Sequence, residues 1–273
     1  MLHSSSISVV HTAFTEVLTE SATAETELTA LAIAAALVLG GIASWTRSRN
    51  RATALTGAGS VLALTILAVS VHNDGWLTAV DGPVTGWFVG HRTPTLDSVA
   101  IAITNAGGPP ETAAAGLLIA ALLVWRTKRY APALVLLGTV VAASIACTVL
   151  KYVVGRDRPP VALHLVAETD HSFPSGHVTG TASLLLMTAL VLGARTSPAL
   201  RWAMVAAAVA FTMLVAATRL YLGVHWLSDV AAGFVLATLA AVVGSYALHQ
   251  LDSRLTPRHS TTRTTTPSMD VTA

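Results

Sequence analysis

The sequence predicts an all-α fold, a polytopic transmembrane helical bundle of six or seven spans with a short interfacial helix between spans two and three. The first observation is composition, because 53% of the 273 residues are hydrophobic and 11% are charged, whereas soluble domains carry about 25% charged residues. The second is a mean hydropathy of +0.65. Since a span needs about 20 apolar residues, the length suits one membrane domain and leaves no room for a second, soluble one.

The spans are predicted from apolar stretches rich in Ala, Val, Leu and Gly, a composition that lets helices pack closely in lipid. The third stretch is the weakest, because it is short and follows Pro109 and Pro110. The stretches cover residues 28–45, 52–71, 111–125, 131–150, 178–193, 200–217 and 227–248.

Basic residues mark alternate loops, and all of them fall on one side of the predicted bundle. Because lysine and arginine collect in cytoplasmic loops, this side is predicted to be cytoplasmic. The carboxyl terminus is then cytoplasmic and the amino terminus extracytoplasmic. The basic residues are Arg47, Arg49 and Arg51 after span one, Arg126, Lys128 and Arg129 after span three, Arg195 and Arg201 after span five, and Arg254, Arg258 and Arg263 after span seven.

Three segments are predicted along the chain: an extracytoplasmic segment over 1–26, a membrane domain over 27–250 and a disordered cytoplasmic tail over 251–273. The first contains an apolar stretch at 7–18 that is too short to cross a bilayer and lacks the basic region of a signal peptide. The tail is rich in Thr, Ser and Pro and has too few apolar residues to fold. The net charge of +2 gives no indication of nucleic-acid binding, and no feature requires a protein partner.

About forty residues between spans two and three are predicted to lie outside the membrane and to contain one short helix. Thr93 followed by Pro94 is typical of a helix start, and Gly107 with Gly108 is typical of a helix end. The helix carries an apolar stripe suited to the membrane interface. That stripe consists of Leu96, Val99 and Ile103.

Four aromatic and basic side chains near this helix are of interest. Trp76 and Trp87 are predicted to anchor the segment at the membrane interface, where tryptophan is enriched. His91 and Arg92 directly precede the helix. A structural role in the interface is favoured for this pair, and contact with a substrate headgroup is the alternative.

The first chemical motif combines two cations at the end of span four. Lys151 and Arg158 lie seven positions apart, nearly two helical turns, so they share a face if the helix continues to Pro159. An ammonium and a bidentate guanidinium on one face form a clamp for phosphate oxygens. Arg156 is expected to point away from this face and to pair only with Asp157 or a lipid phosphate.

The second motif, at residues 172–177, directly precedes span five. Ser175 is expected to cap the helix and supply a hydroxyl, and Gly176 leaves its N–H group open to an anion. A helix N-terminus attracts negative charge. His177 is then placed to give a proton to a leaving group, while His171 is expected to be mainly structural.

The third motif contains a histidine and a carboxylate four positions apart. His225 and Asp229 can meet on one face at the start of span seven, which fixes the imidazole tautomer and leaves one ring nitrogen free as a nucleophile. Arg219 lies six positions earlier and would lie off that face in an unbroken helix. Gly223 offers a break that brings it round.

Together the motifs resemble the three-part signature of the type 2 phosphatidic acid phosphatase superfamily, which also includes glucose-6-phosphatase and vanadium haloperoxidases. The resemblance rests on Lys151 with Arg158 and Pro159, on the tetrapeptide 174–177, and on the Arg219, His225 and Asp229 spacing. All three parts occur in order and on one predicted side, the extracytoplasmic one. The third part usually opens with serine, whereas Thr218 stands here and keeps a hydroxyl.

The resemblance implies a phosphatase mechanism. His225 attacks phosphorus to form a phosphohistidine, Asp229 orients it, and His177 protonates the leaving group and then activates water. The residues that hold the phosphate oxygens are Lys151, Arg158, Ser175, Gly176 and Arg219. No metal or other cofactor is expected.

The expected substrate is a lipid phosphate drawn from the surrounding membrane lipids. Polyprenyl pyrophosphate, phosphatidate and phosphatidylglycerol phosphate all suit a site at the outer interface. The resemblance to the family favours polyprenyl pyrophosphate among them. A membrane phosphotransferase is the main alternative, because only the acceptor differs from hydrolysis. A transporter and a vanadate-dependent haloperoxidase are further alternatives, although the spans contain few interior charges and the known haloperoxidases are soluble.

Overall fold

The computed structural model describes residues 3–45 and 47–255, and it describes side chains over 24–45 and 47–253. Within these ranges the chain forms α-helices, two short 3-10 helices and no strand, so the predicted all-α class is confirmed. The helices are α1 (His3–Ser44), α2 (Arg49–His72), α3 (Asp81–Gly90), α4 (Pro94–Ala106), α5 (Pro109–Thr127), α6 (Ala131–Val154), α7 (Gly176–Gly193), α8 (Pro198–Tyr221) and α9 (Leu227–Leu255), and the 3-10 helices are Trp76–Thr78 and Val161–Leu163.

Six of the described helices are long and apolar enough to cross a membrane. They include the Ala24–Ser44 part of α1 and all of α2, α6, α7 and α8, together with Leu227–Ser253 of α9. Helices α4 and α5 pass the same test together, with a bend of 47° between them, and would make a seventh span. The chain is therefore a multi-pass membrane protein, and the predicted count of six or seven spans is confirmed.

Both ends of the described chain differ from the predicted segment boundaries. Helix α1 runs without a break from the predicted extracytoplasmic segment, residues 1–26, into the first span. Helix α9 continues to Leu255, so residues 251–255 of the predicted tail are helical. The rest of that tail, from residue 256 onward, lies outside the described residues.

Helix α7 occupies the centre of the bundle, where it packs against α6, α8 and α9. Met187 and Ala182 on α7 are fully buried, and small residues bring the neighbouring backbones close. A Cβ atom at Gly233 of α9 would lie 2.8 Å from the Ser175 carbonyl oxygen. The start of α9 is thus held directly against the start of α7, and this contact positions the second and third motifs.

Two glycines with positive φ end the helices that carry the motif cations. Gly155 (φ 64°) ends α6, so the expected continuation of this helix to Pro159 is wrong. Gly223 (φ 72°) follows α8, and the break predicted there is confirmed. A Cβ at Gly223 would collide with the carbonyl oxygen of Leu163, because the loop after α6 packs tightly against this turn.

The segment between α2 and α5 contains the predicted short helix, α4. Thr93 is its N-cap, and the hydroxyl accepts a hydrogen bond from the Leu96 amide at 3.3 Å. The buried face of α4 consists of Ala100 and Thr104, whereas Leu96 and Val99 are each 47% exposed. The predicted apolar stripe therefore faces away from the protein. Helix α3 and the Trp76–Thr78 turn in this segment were not predicted.

Arg92 connects the segment between α2 and α5 to the rest of the bundle through hydrogen bonds. Its guanidinium donates to the Tyr221 carbonyl at 2.7 and 2.9 Å and to the Leu163 carbonyl at 2.8 Å. The ring of His91 stacks on Trp87, with 4.4 Å between ring centroids. These contacts support the structural role predicted for the His91 and Arg92 pair.

Candidate active site

The histidine and aspartate of the third motif meet as their spacing predicts. Nδ1 of His225 lies 3.3 Å from Oδ2 of Asp229, and the same oxygen accepts the Trp226 amide at 2.9 Å. Nε2 of His225 lies 3.2 Å from a guanidinium nitrogen of Arg158. Because arginine only donates, Nε2 must be the acceptor and the ring proton sits on Nδ1, facing the carboxylate.

The surroundings of His225 keep its imidazole neutral. Its side chain is 1% exposed. Burial and the charges of Arg219, Arg158 and Lys151 hold the pKa of His225 well below its ordinary value. A neutral ring with an unprotonated Nε2 is the form that a nitrogen nucleophile requires.

Three cations surround this histidine, and we call them the cation cluster: Lys151, Arg158 and Arg219. Lys151 lies in the last turn of α6, Arg158 in the loop that follows, and Arg219 in the last turn of α8. The three are brought from separate elements to one place, as the family resemblance implies. Lys151 and Arg219 are buried despite their charge, 7% and 1% exposed respectively, which is costly unless anions are nearby.

Two acidic residues that were not predicted supply those anions. Asp170 lies 3.2 Å from Lys151 and 2.5 Å from Arg158. Glu168 lies 3.5 Å from Arg158 and also pairs with Arg219. Both come from the loop between α6 and α7, so this loop supplies the carboxylates that pair with the cation cluster.

Glu168 and Asp170 are ionised at neutral pH. Although burial opposes ionisation, the charge of Arg219 holds the pKa of Glu168 below its ordinary value. Burial likewise opposes ionisation of Asp170, and the charges of Lys151 and Arg158 hold its pKa below the ordinary value. The loop therefore presents two anions to the cation cluster.

The second motif lies at the start of α7, beside the cation cluster. Ser175 is the N-cap residue by position, but its hydroxyl makes no capping hydrogen bond, so the expected side-chain cap is wrong. The Ser175 amide instead donates to the Asp229 carbonyl at 3.0 Å. A Cβ at Gly176 would meet no atom within 4 Å, so the space in front of this helix start is open, as predicted.

Two buried polar atoms at the site have no hydrogen-bond partner in the described part of the chain. They are the Ser175 hydroxyl oxygen and Nε of Arg219. Native proteins rarely leave buried polar groups unpaired, and exceptions of this kind occur at functional sites. Both atoms belong to residues predicted to hold phosphate oxygens.

His177 lies in the first turn of α7. Among residues 24–45 and 47–253, its ring has no hydrogen-bond partner. Arg219, Glu168, Arg158 and Asp170 are close enough to act on it electrostatically. The ring is thus free to exchange a proton at the edge of the cation cluster.

Arg156 departs most clearly from its predicted role. One guanidinium nitrogen contacts Oδ1 of Asp229 at 2.6 Å and the Ser228 hydroxyl at 2.7 Å. The other contacts Oδ2 of Asp81 at 2.7 Å. The expectation that Arg156 pairs only with Asp157 or a lipid phosphate is wrong, because Gly155 ends α6 and turns the chain, so helical phase no longer applies.

Two further residues of the motif regions make structural contacts. The His171 carbonyl accepts a hydrogen bond from the Lys151 ammonium, and its ring lies edge-on to Tyr152, with 6.3 Å between centroids. The Thr218 hydroxyl donates to the Val215 carbonyl at 2.6 Å. Neither contact places these side chains among the groups that surround His225.

A cavity of about 1040 Å³ leads from the cation cluster along α5 and α6. Its polar end is lined by Lys151, Arg158, Glu168, Asp170 and Gly176. Its apolar end includes residues on the outward face of α6, where large hydrophobic side chains such as Val141 and Ile145 are exposed. Among these lining residues are Val140, Val141 and Ile145, with Pro109 and Ala113 opposite on α5.

Comparison with known proteins shows several relatives of this chain. Residues 132–252, which contain all three motifs, match the family model of the PAP2 superfamily. Phosphatidylglycerophosphatase B of Bacillus subtilis is 32% identical over 180 residues, which are 64% of this chain and 85% of that protein. An undecaprenyl-diphosphatase of Sulfolobus acidocaldarius is 35% identical over 126 residues, which are 43% of this chain and 54% of that protein. The chain thus spans about half the length of the archaeal relative.

A solved structure shares the same bundle. It is the crystal structure of a transmembrane PAP2-type phosphatidylglycerolphosphate phosphatase from Bacillus subtilis. The TM-score is 0.65 at 27% sequence identity, over 74% of this chain and 98% of that one. The resemblance predicted from the three motifs is confirmed: the chain belongs to the PAP2 superfamily.

Proposed function

We propose that this protein is a membrane lipid phosphatase that hydrolyses a phosphomonoester or pyrophosphate through a phosphohistidine intermediate, with residues 27–250 as the phosphatase domain. One observation carries the proposal. The neutral His225 has its proton fixed toward Asp229 and its free nitrogen toward Arg158 of the cation cluster. The named relatives, an undecaprenyl-diphosphatase and a phosphatidylglycerophosphatase, support a lipid phosphate as substrate.

In the first step, substrate phosphate replaces the carboxylates of Glu168 and Asp170 on the cation cluster. Nε2 of His225 then attacks phosphorus in line, and the bond from phosphorus to the leaving oxygen breaks. The leaving oxygen takes a proton from the protonated ring of His177, a form that the negative charge of the bound phosphate stabilises. Asp229 stabilises the positive charge that develops on the imidazole of His225.

In the second step, His177 acts as a base. It takes a proton from water, the water oxygen attacks phosphorus, and the bond from phosphorus to His225 breaks. Inorganic phosphate leaves and both histidines return to their starting forms. An acceptor alcohol in place of water would make the same chemistry a phosphotransfer.

The cation cluster supplies the charge that phosphoryl transfer needs, since this reaction is catalysed mainly by positioning and electrostatic stabilisation. The Ser175 hydroxyl, Nε of Arg219 and the Gly176 amide add donors that are free to bind an oxygen. No group of three or more His, Cys, Asp or Glu suited to a metal ion occurs in the described ranges. We therefore propose a metal-independent reaction.

The cavity supports a lipid rather than a soluble substrate. Its charged end suits a phosphate, and its apolar end on α5 and α6 suits a hydrocarbon chain that enters from the membrane. Polyprenyl pyrophosphate is our preferred substrate, with phosphatidate and phosphatidylglycerol phosphate as alternatives.

We place the site on the extracytoplasmic face and the carboxyl terminus in the cytoplasm, on the basis of the basic loops. In a Cys147→Ser background, Trp76→Cys should be labelled by an impermeant maleimide added outside intact cells. A carboxyl-terminal tag should resist protease in the same cells. Labelling only after permeabilisation would show that the protein has the opposite orientation in the membrane.

The reaction is tested with protein purified in detergent and an excess of chelator. Phosphate release should be measured from the three lipids and from a soluble sugar phosphate. We expect release from at least one lipid, and a loss of about 10³-fold or more in His225→Ala, with the exposed His72→Ala as matched control. A requirement for added divalent metal, or activity that survives His225→Ala, would contradict the mechanism. Added acceptor alcohols would reveal a phosphotransferase.

A further inference from the structure

Asp81 is a buried carboxylate outside the three motifs and outside residues 132–252 that match the family model. It is the first residue of α3, in the segment between α2 and α5, and is 2% exposed. Oδ1 accepts the Ser228 amide at 2.9 Å, and Oδ2 accepts the Ser228 hydroxyl at 2.6 Å. Asp81 thus caps the first turn of α9, the turn that carries Asp229.

Arg156 connects Asp81 to the same carboxylate. Its guanidinium reaches Oδ2 of Asp81 at 2.7 Å and Oδ1 of Asp229 at 2.6 Å, and it lies 5.6 Å from the ring centroid of Trp226. We call this arrangement the Arg156 bridge: Arg156 with Asp81 and Asp229. A planar fork with both arms occupied has little freedom to turn.

The bridge fixes how Asp229 faces the nucleophile. Oδ1 is held by Arg156, which leaves Oδ2 for His225 and the Trp226 amide. Without Arg156, Oδ1 would lose its guanidinium partner and the contacts to Oδ2 alone would orient the carboxylate. Its negative charge would also act on the imidazole without a competing cation.

Building on the proposed function, we propose that Asp81 and Arg156 are positioning residues for phosphoryl transfer. They hold the Asp229 carboxylate in the orientation that directs the free nitrogen of His225 at the substrate, and they set how strongly that carboxylate attracts a proton on the imidazole. Neither residue touches the phosphate.

The two residues act on the histidine with opposite sign. A neutral Asn at position 81 leaves Arg156 entirely to Asp229, which weakens the attraction for imidazolium, so the pKa of His225 falls. A neutral Gln at position 156 strengthens that attraction, so the pKa rises. The other groups that face His225 stay constant in both variants, and they are Asp229 on α9, Arg219 on α8, Lys151 on α6, and Arg158 and Glu168 in the loop after α6.

The test is the pH profile of kcat/KM for purified variants, normalised to the folded fraction from size-exclusion chromatography. Asp81→Asn should move the acid limb to lower pH and Arg156→Gln to higher pH, each by on the order of 0.5 pH unit, less than a directly adjacent charge produces. Arg156→Lys keeps the charge and loses the fork. It should leave the limb in place and lower kcat by up to about 100-fold with little change in KM.

Asp97→Asn is the matched control, because Asp97 on α4 also makes a part-buried contact, to the Tyr221 hydroxyl at 2.7 Å. It should not move the acid limb. Limbs that stay in place, or that move in the same direction, in Asp81→Asn and Arg156→Gln would overturn the positioning role. If Arg156→Gln does not fold, the pH profiles and kcat values of Asp81→Asn and Arg156→Lys test the positioning role without it. Retained activity in His225→Ala would instead overturn the proposed function, so the two failures are distinguishable.

Discussion

The cation cluster and the Arg156 bridge both pair arginine with carboxylates, yet they differ in what holds the carboxylates. The side chains of Asp81 and Asp229 in the bridge are 3% and 0% exposed and belong to helices. The side chains of Glu168 and Asp170 at the cation cluster are 20% and 53% exposed and belong to a loop. We infer that the bridge persists and that the pairs at the cation cluster exchange with a substrate anion.

The largest expected effect is a difference in stability between variants of the Arg156 bridge and variants of the cation cluster. Arg156→Gln leaves two buried carboxylates without their cation and should lower the free energy of unfolding by about 3–5 kcal/mol. Arg158→Gln should lower it by less, because the side chain of its nearest carboxylate partner, Asp170, is 53% exposed. Thermal unfolding of both variants in the same detergent measures the difference. Equal losses would show that the bridge is no more permanent than the loop pairs.

The next effect is on catalysis. Arg219→Gln should lower kcat/KM by about 10²–10³-fold, the usual cost of losing one preorganised donor to a developing charge. Arg126→Gln, at the exposed end of α5, is the matched control and should keep full activity. Steady-state kinetics on a lipid phosphate decide this prediction, and a loss below threefold in Arg219→Gln would remove Arg219 from the phosphate site.

A smaller effect concerns the free hydroxyl of Ser175. Because this hydroxyl makes no hydrogen bond in the described structure, Ser175→Ala should leave thermal stability unchanged and lower kcat/KM by about tenfold. Ser172→Ala provides the contrast, since the Ser172 hydroxyl contacts the carbonyls of Arg156 and Asp157 at 3.2 and 3.0 Å. It should lose stability. A stability loss in Ser175→Ala would assign that hydroxyl a structural role instead.

The smallest effect tests exchange at the cation cluster directly. Substrate must displace the two loop carboxylates, so Glu168→Gln combined with Asp170→Asn should lower KM and the inhibition constant for inorganic phosphate by roughly threefold. The exposed Glu25→Gln is the control. Competitive inhibition assays measure both constants, and weaker phosphate inhibition in the double variant would mean that the carboxylates help to bind substrate.

Much of the fold was predictable because hydropathy and helix signals are local. The spans, the helix start at Thr93 and the break at Gly223 each depend on residues a few positions apart. The contact of His225 with Asp229 follows from helical spacing in the same way. The convergence of Lys151 with Arg219 needed the family resemblance, since these cations come from separate helices.

The missed residues depend on contacts between distant parts of the chain. Asp81 is separated from Ser228 by 147 positions, and no spacing rule connects them. Glu168 and Asp170 resemble ordinary loop acids, although two acids between the first two motifs, on the same predicted side, were a usable signal. The expected partners of Arg156 are wrong because Gly155 ends α6, so helical spacing does not apply to Arg156.

The central claim is that His225 carries the phosphoryl group between the two steps, and rapid-quench labelling tests it most directly. Protein mixed with lipid phosphate labelled with ³²P should form a phosphoenzyme that is stable in alkali and labile in acid, as a phosphohistidine is. The label should map to the peptide that contains His225, and His225→Ala should show neither label nor phosphate release. Label on another residue, or turnover by His225→Ala at the wild-type rate, would contradict the account.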